Sequence, residues 1–215
     1  MNPFDLTLQQ SFPSVMVPRQ EPLAPLDKPG ERLLIAANGV FLEIVRPWIR
    51  IVRCIAEYRV ATAIPYGTYD EATELRCTPV PPELIAQFYG QTRDALPNET
   101  GAGIVWHEPT GQFRLVALTP ISQSPSHLVY ERPVLHPGEH LVVDCHSHGA
   151  AAAFFSRTGI HNDDDDDRHD VKFALVLGNC DRVPSTALRL CAKGIFEKFE
   201  NIPEPWSSAL ATEVL

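Results

Sequence analysis

Cysteine is scarce and unpatterned in this chain. The five cysteines, Cys54, Cys77, Cys145, Cys180 and Cys191, are odd in number and include no C-x-x-C pair. Neither a disulfide framework nor a cysteine zinc knuckle is expected from them. Long apolar runs are lacking too, and none approaches the ~20 residues of a membrane span. The first residues, MNPFDLTLQQSFPSV, have no basic region followed by an apolar one, so no signal peptide is expected. Positive charge is in the minority. Eighteen Lys and Arg stand against 27 Asp and Glu, for a net charge of -9 and a pI near 5.3. That gives nucleic-acid binding little support. Part of the acidity is local, because Asp163–Asp167 is an unbroken acidic run. These absences point to a protein of a reducing cytoplasm, with neither nucleic acid nor membrane as partner.

With 215 residues, 44% of them hydrophobic, the chain can bury one sizeable core and a smaller unit. Residues 1–30 carry Pro3, Pro13, Pro18, Pro22, Pro25 and Pro29 and read as an extended segment. Residues 31–78 read as a small antiparallel β unit, with Asn38-Gly39 as a hairpin signal. Within it, Arg50 and Arg53 alternate with apolar residues, which predicts a strand with one wet face, and Glu43 is expected to face solvent. Residues 79–215 read as an α/β domain. Pro81-Pro82 opens a helix with Leu84, Ile85, Phe88, Tyr89 and Thr92 at helical spacing. Strands are expected at Gly103–His107, Gln112–Leu118, His127–Tyr130, His140–Cys145, Val171–Leu177, Ala187–Cys191 and Ile195–Phe199. Asn162 is placed to cap a short helix over Asp163–His169.

The chemistry concentrates at LVVDCHSHGAAAAFFS, residues 141–156. His146 and His148 fall where a buried strand ends. Side chains at i and i+2 of extended backbone point the same way, so both imidazoles can reach one ion. Two histidines, one carboxylate from Asp163–Asp167 and an open position for water form a catalytic zinc pattern. Ser156 is a candidate hydroxyl donor to a developing oxyanion, or a turn cap. Glu99, between helix and strand, would lie beside the metal if the Gly103–His107 strand neighbours His140–Cys145. Asp144 either orients a ligand histidine or points away. Cys145 reads as a buried thiol. His107, His127, His136, His140 and His169 have no paired spacing and read as structural or exposed. An EF-hand is disfavoured, since Arg168 stands where its sixth-position glycine belongs.

The H-x-H-x7-S spacing of His146, His148 and Ser156 resembles the signature of the JAMM (JAB/MPN) metalloproteases. The segment ALPNETGAGIVWHE resembles that family's glutamate segment and aligns Glu99 with it. More narrowly, GVFLEIVRPW, GEHLVVDCHSHG and DVKFALVLGNCD resemble JAB-domain proteins of plasmid-associated PRTRC gene clusters. The resemblance covers roughly residues 31–200. It implies a cytidine-deaminase-like three-layer core and a zinc-dependent isopeptidase or peptidase. Glu99 would be the general base for a metal-bound water, and Ser156 the oxyanion donor. The implied partners are a ubiquitin-like protein, cleaved after its C-terminal glycine, and a ThiF-like activating enzyme of the same gene cluster.

One departure stands out. The family's third ligand is an aspartate three residues after the serine, and Gly159 occupies that position. Allowing an insertion of GIHN moves the ligand to Asp163, with Asp164 second, while His161 offers a three-histidine alternative. Gly159 also raises a second reading, a non-catalytic scaffold. A third, an amidohydrolase-like barrel, is disfavoured, because only about 70 residues follow His146 and such a barrel needs roughly 250.

Overall fold

The computed structural model describes residues 2–60, 62–156 and 171–212. The chain falls into two compact units, Met1–Cys77 and Thr78–Leu215.

The first unit opens with a helix, α1 (Pro3–Ser11), where an extended chain was expected. Asn2 caps it, its side-chain oxygen accepting from the Phe4 amide at 2.9 Å. Pro3 sits in the first turn, where its missing N–H costs nothing. The other five prolines of the segment all lie beyond α1, so nothing breaks it. Strand β1 (Ser14–Met16) then joins a five-stranded sheet with β2 (Gly30–Ala36), β3 (Gly39–Arg46), β4 (Ile49–Ala56) and β5 (Ala72–Leu75), paired in that order. β1 runs parallel to β2 and the remaining pairs are antiparallel. Val17, Leu34, Ala36, Phe41 and Val52 form a core on one side, with Leu23 and Tyr69 against it.

Glu43 does not face solvent. It is fully buried and accepts from Arg32 Nε, and from Arg50 Nε at 2.6 Å. Arg50 also reaches Glu74 at 2.7 Å and the Tyr69 hydroxyl at 2.8 Å. Nor is Arg53 wet: it is 9% exposed and donates to the Ala72 carbonyl and to Thr73 Oγ1, both at 2.6 Å. Alternation treats every charged position as solvent-facing. Paired guanidinium and carboxylate groups satisfy each other and can be buried together. Glu43→Gln leaves the buried Arg32 guanidinium without its carboxylate and Arg50 with Glu74 alone. It is expected to destabilise this unit by about 3 kcal/mol or more, read as an earlier urea transition. An unchanged midpoint would show that the network contributes nothing.

The second unit starts with α2 (Pro82–Asp94), which buries Ile85, Phe88, Tyr89 and Thr92. A six-stranded sheet follows. Its members are β6 (Gly101–His107), β7 (Gln112–Ala117), β10 (Glu139–Ser147), β11 (Val171–Gly178), β12 (Ser185–Ala192) and β13 (Ile195–Phe199). The order across it is β13-β12-β11-β10-β6-β7. A separate hairpin, β8 (Thr119–Ser124) and β9 (His127–Glu131), is inserted between β7 and β10. Helix α3 (Glu204–Thr212) packs on α2. β6 and β11 are buried at nearly every position, as continuous apolar runs covered on both faces require. The unit is therefore mixed α/β. The helix expected over Asp163–His169 lies outside the described residues.

Among the described residues of this sheet, only β10 and β11 pair in parallel. Their C-terminal ends therefore emerge side by side. In α/β sheets that is where loops gather ligand-binding groups.

Candidate metal centre

β10 is flanked by β6 on one side and β11 on the other. His146 pairs with Gly101 of β6 and Val176 of β11. The bonding continues past the strand end. The Ser147 amide donates to the Thr100 carbonyl at 2.8 Å, and the Thr100 amide donates to Ser147 Oγ at 3.0 Å. The His148 amide donates to the Leu177 carbonyl at 2.8 Å. Extending the β10–β6 register from the His146–Gly101 pair sets Ser147 against Thr100 and His148 against Glu99. Directly opposed residues of an antiparallel pair share a sheet face. Continued two pairs beyond its last member, that register would set position 99 on the side of the sheet that holds both histidines. The Glu99 amide donates to the Ser124 carbonyl at the end of β8 at 2.9 Å, which ties it to the β8–β9 hairpin.

The two imidazoles stand with ring centroids 5.2 Å apart and planes 43° apart. A ring ligating zinc keeps its centroid about 3 Å from the ion, so two rings at tetrahedral angles stand about 5 Å apart. The spacing suits a shared ion. His148 is 7% exposed, and its Nδ1 lies 3.1 Å from the Ala152 carbonyl. A carbonyl only accepts, so Nδ1 carries the proton in the neutral ring and Nε2 keeps its lone pair for a metal. The Phe154 ring stands edge-on to His148 at 4.4 Å and is 54% exposed.

The loop that follows is held tightly by its backbone. Gly149 has φ +54°, a conformation that favours glycine, and a Cβ there would stand 2.8 Å from the Pro97 carbonyl oxygen. At Gly178, at the end of β11, a Cβ would meet the Ala153 amide at 2.3 Å and the Ala151 carbonyl at 2.4 Å. The Asn179 and Cys180 amides donate to the Ala151 and Gly149 carbonyls at 2.7 and 2.9 Å. The Ala153 amide donates to Ser185 Oγ of β12 at 2.8 Å. Ser156, the last described residue of this stretch, is half-buried.

Asp144 lies on the same face of β10 as His146. Its carboxylate accepts from Lys172 Nζ of β11 at 2.5 Å. Cys145 faces the other way, fully buried, and burial with Asp144 nearby pushes its thiol well above the usual range. It stays protonated at neutral pH and is a packing residue. Among the described residues no three His, Cys, Asp or Glu side chains gather as a metal site. Asp163, the expected third ligand, lies outside the described residues, as do Asp164, His161 and Gly159.

Several residues that shape the centre were not singled out in the sequence. Ser147, between the histidines, carried a signal in its position alone. The Ala152 carbonyl, Gly178 and Ser185 carried none, because a backbone oxygen, a close approach and a hydroxyl 32 residues from its partner leave no local pattern.

A mixed α/β domain presenting paired histidines at the end of a central strand is the class that fold and site define. Residues 81–191 match the model of the prokaryotic homologs of the JAB domain, and the chain belongs to that family. Residues 2–76 match a domain of unknown function, DUF2016. No curated protein and no solved structure matches the chain. Among the described residues, no helix is long and apolar enough to cross a membrane.

Proposed function

We propose that this chain is a zinc-dependent peptidase or isopeptidase of the JAMM type, resembling PRTRC system protein A. In this reading residues 79–215 form a cytidine-deaminase-like three-layer core. The substrate is a ubiquitin-like protein or its conjugate, made with a ThiF-like activating enzyme of the same plasmid-borne gene cluster in the cytoplasm. The observation that supports the reading is the pair of Ser147–Thr100 bonds, which hold the residue after Glu99 at the strand end where His146 and His148 stand.

His146, His148 and Asp163 would hold the metal. Zinc, when bound, supplies a Lewis acid that polarises an amide carbonyl and acidifies water. Glu99 takes the proton of the attacking water and returns it to the departing amine nitrogen, a role its place at that strand end allows. Ser156 Oγ donates to the carbonyl oxygen as negative charge develops there. The Nδ1–H bond from His148 to Ala152 holds that ring in one tautomer throughout.

Elemental analysis of the full chain, purified without chelator, should find about one zinc per chain, and His146→Ala should find none. Asp163→Ala should lose zinc while Asp166→Ala and Asp167→Ala retain it. Retention by Asp163→Ala with loss by His161→Ala would mean a three-histidine site. The substrate is tested with the ubiquitin-like protein of the same cluster, extended beyond its C-terminal glycine, by following release of the tail. Gly159, standing where the family has its aspartate, favours the scaffold as the second reading. Zinc-loaded protein that releases no tail would decide for it.

A further inference from the structure

Arg189, on β12, is 1% exposed, and its guanidinium lies over two phenyl rings. The guanidinium carbon is 4.2 Å from the ring centroid of Phe155 and 4.5 Å from that of Phe196 on β13. Phe155 is 8% exposed and packs with Ala174, Val176 and Cys191 on one face of the sheet. It is also the residue immediately before Ser156. A guanidinium is planar and holds its charge at any pH the fold survives, so it stacks on two aromatic faces at once where an ammonium cannot.

The same strand grips the loop a second time. Ser185 Oγ, four residues before Arg189, accepts from the Ala153 amide at 2.8 Å. The chain from His148 thus crosses the side-chain-free end of β11 at Gly178 and is fastened to β12 at Ala153 and again at Phe155. Phe154, between these two ties, turns outward against His148. Nothing in the proposed zinc chemistry uses Arg189, and one of the two rings its guanidinium meets belongs to the residue next to Ser156.

We propose that Arg189 is a positioning residue: by clamping Phe155 it sets where the backbone stands at Ser156, and so where the Ser156 hydroxyl is presented. The part concerning Ser156 rests on the function proposed above; the clamp itself does not.

The clamp is tested without any activity, on the zinc-loaded full chain. Chymotrypsin cuts after phenylalanine, and mass spectrometry separates cleavage after Phe155 from cleavage after the exposed Phe154. Arg189→Met keeps the length of the side chain and removes the planar cation. It should speed cleavage after Phe155 by about tenfold or more, the loss of a desolvated cation–π stack, while zinc content holds. Phe196→Leu removes one of the two rings only, and should act in the same direction if Arg189→Met fails to fold. Cleavage after Phe155 as slow as in the wild type, in whichever of the two variants folds, overturns the clamp.

The catalytic consequence is read on tail release. Arg189→Lys should lower kcat by about 10–100-fold through misplacement of one donor, with KM and zinc unchanged. Combined with Ser156→Ala it should cost no more than Ser156→Ala alone, because Arg189 acts through Ser156. Multiplying losses would overturn the positioning role. A wild type that cleaves nothing overturns the function and the Ser156 role together, and the proteolysis alone then decides the clamp.

Discussion

Glu99→Gln is expected to keep its fold and its zinc while losing about 10²–10⁴-fold of its hydrolytic rate, the contribution of a positioned acid–base group. The substitution changes almost no volume. The backbone anchor, the Glu99 amide to the Ser124 carbonyl, does not involve the side chain. The proposed metal ligands are other residues. What disappears is the ability to accept a proton from water beside His148 and give it back. Rates of tail release at saturating zinc, measured beside zinc content, separate this from loss of the ion. Cleavage at the wild-type rate would remove Glu99 from the mechanism.

The second large effect is expected from a residue with no side chain. In Gly178→Ala the new Cβ falls 2.3 Å from the Ala153 amide nitrogen, 2.4 Å from the Ala151 carbonyl oxygen and 2.5 Å from the Ala152 carbonyl carbon. All three are backbone atoms, so no side chain can swing aside, and the loop must lift. The bonds at stake are those from His148 Nδ1 to the Ala152 carbonyl and from the Ala153 amide to Ser185. If His148 holds zinc as proposed, losing the carbonyl that orients it should cost about 10–100-fold in metal affinity, and overpacking costs about 1–3 kcal/mol in stability. Competition with a chelator of known zinc affinity measures the first and thermal unfolding the second. Wild-type zinc affinity in Gly178→Ala would show that the loop is not what holds His148 in place.

Most elements of the second unit were legible because their signals are local. The helix from Pro82 showed its 3.6-residue period, and β11 its apolar run from Phe173 to Leu177. The first unit misled at two places for opposite reasons. Pro-rich composition over residues 1–30 hid a nine-residue helix that avoids the later prolines and is capped by Asn2. Alternation over β3 and β4 assigned Glu43 and Arg53 to water, when partners from neighbouring strands satisfy them in the interior.

The sequence by itself determined that His146 and His148 share a side at a strand end, because the two-residue period of extended backbone is a local property. It also determined that Glu99 precedes a strand. Only the tertiary structure decided that this strand lies antiparallel to β10 with Gly101 against His146, so that the segment before it meets the end of β10; a shift of one residue would have exchanged the faces. It alone decided the tautomer of His148, through a carbonyl that any residue at position 152 could supply, and the burial of Arg189 against Phe155 and Phe196. Those contacts join residues distant in the chain or use atoms common to every residue, so the order of side chains carries no mark of them until the strands are paired.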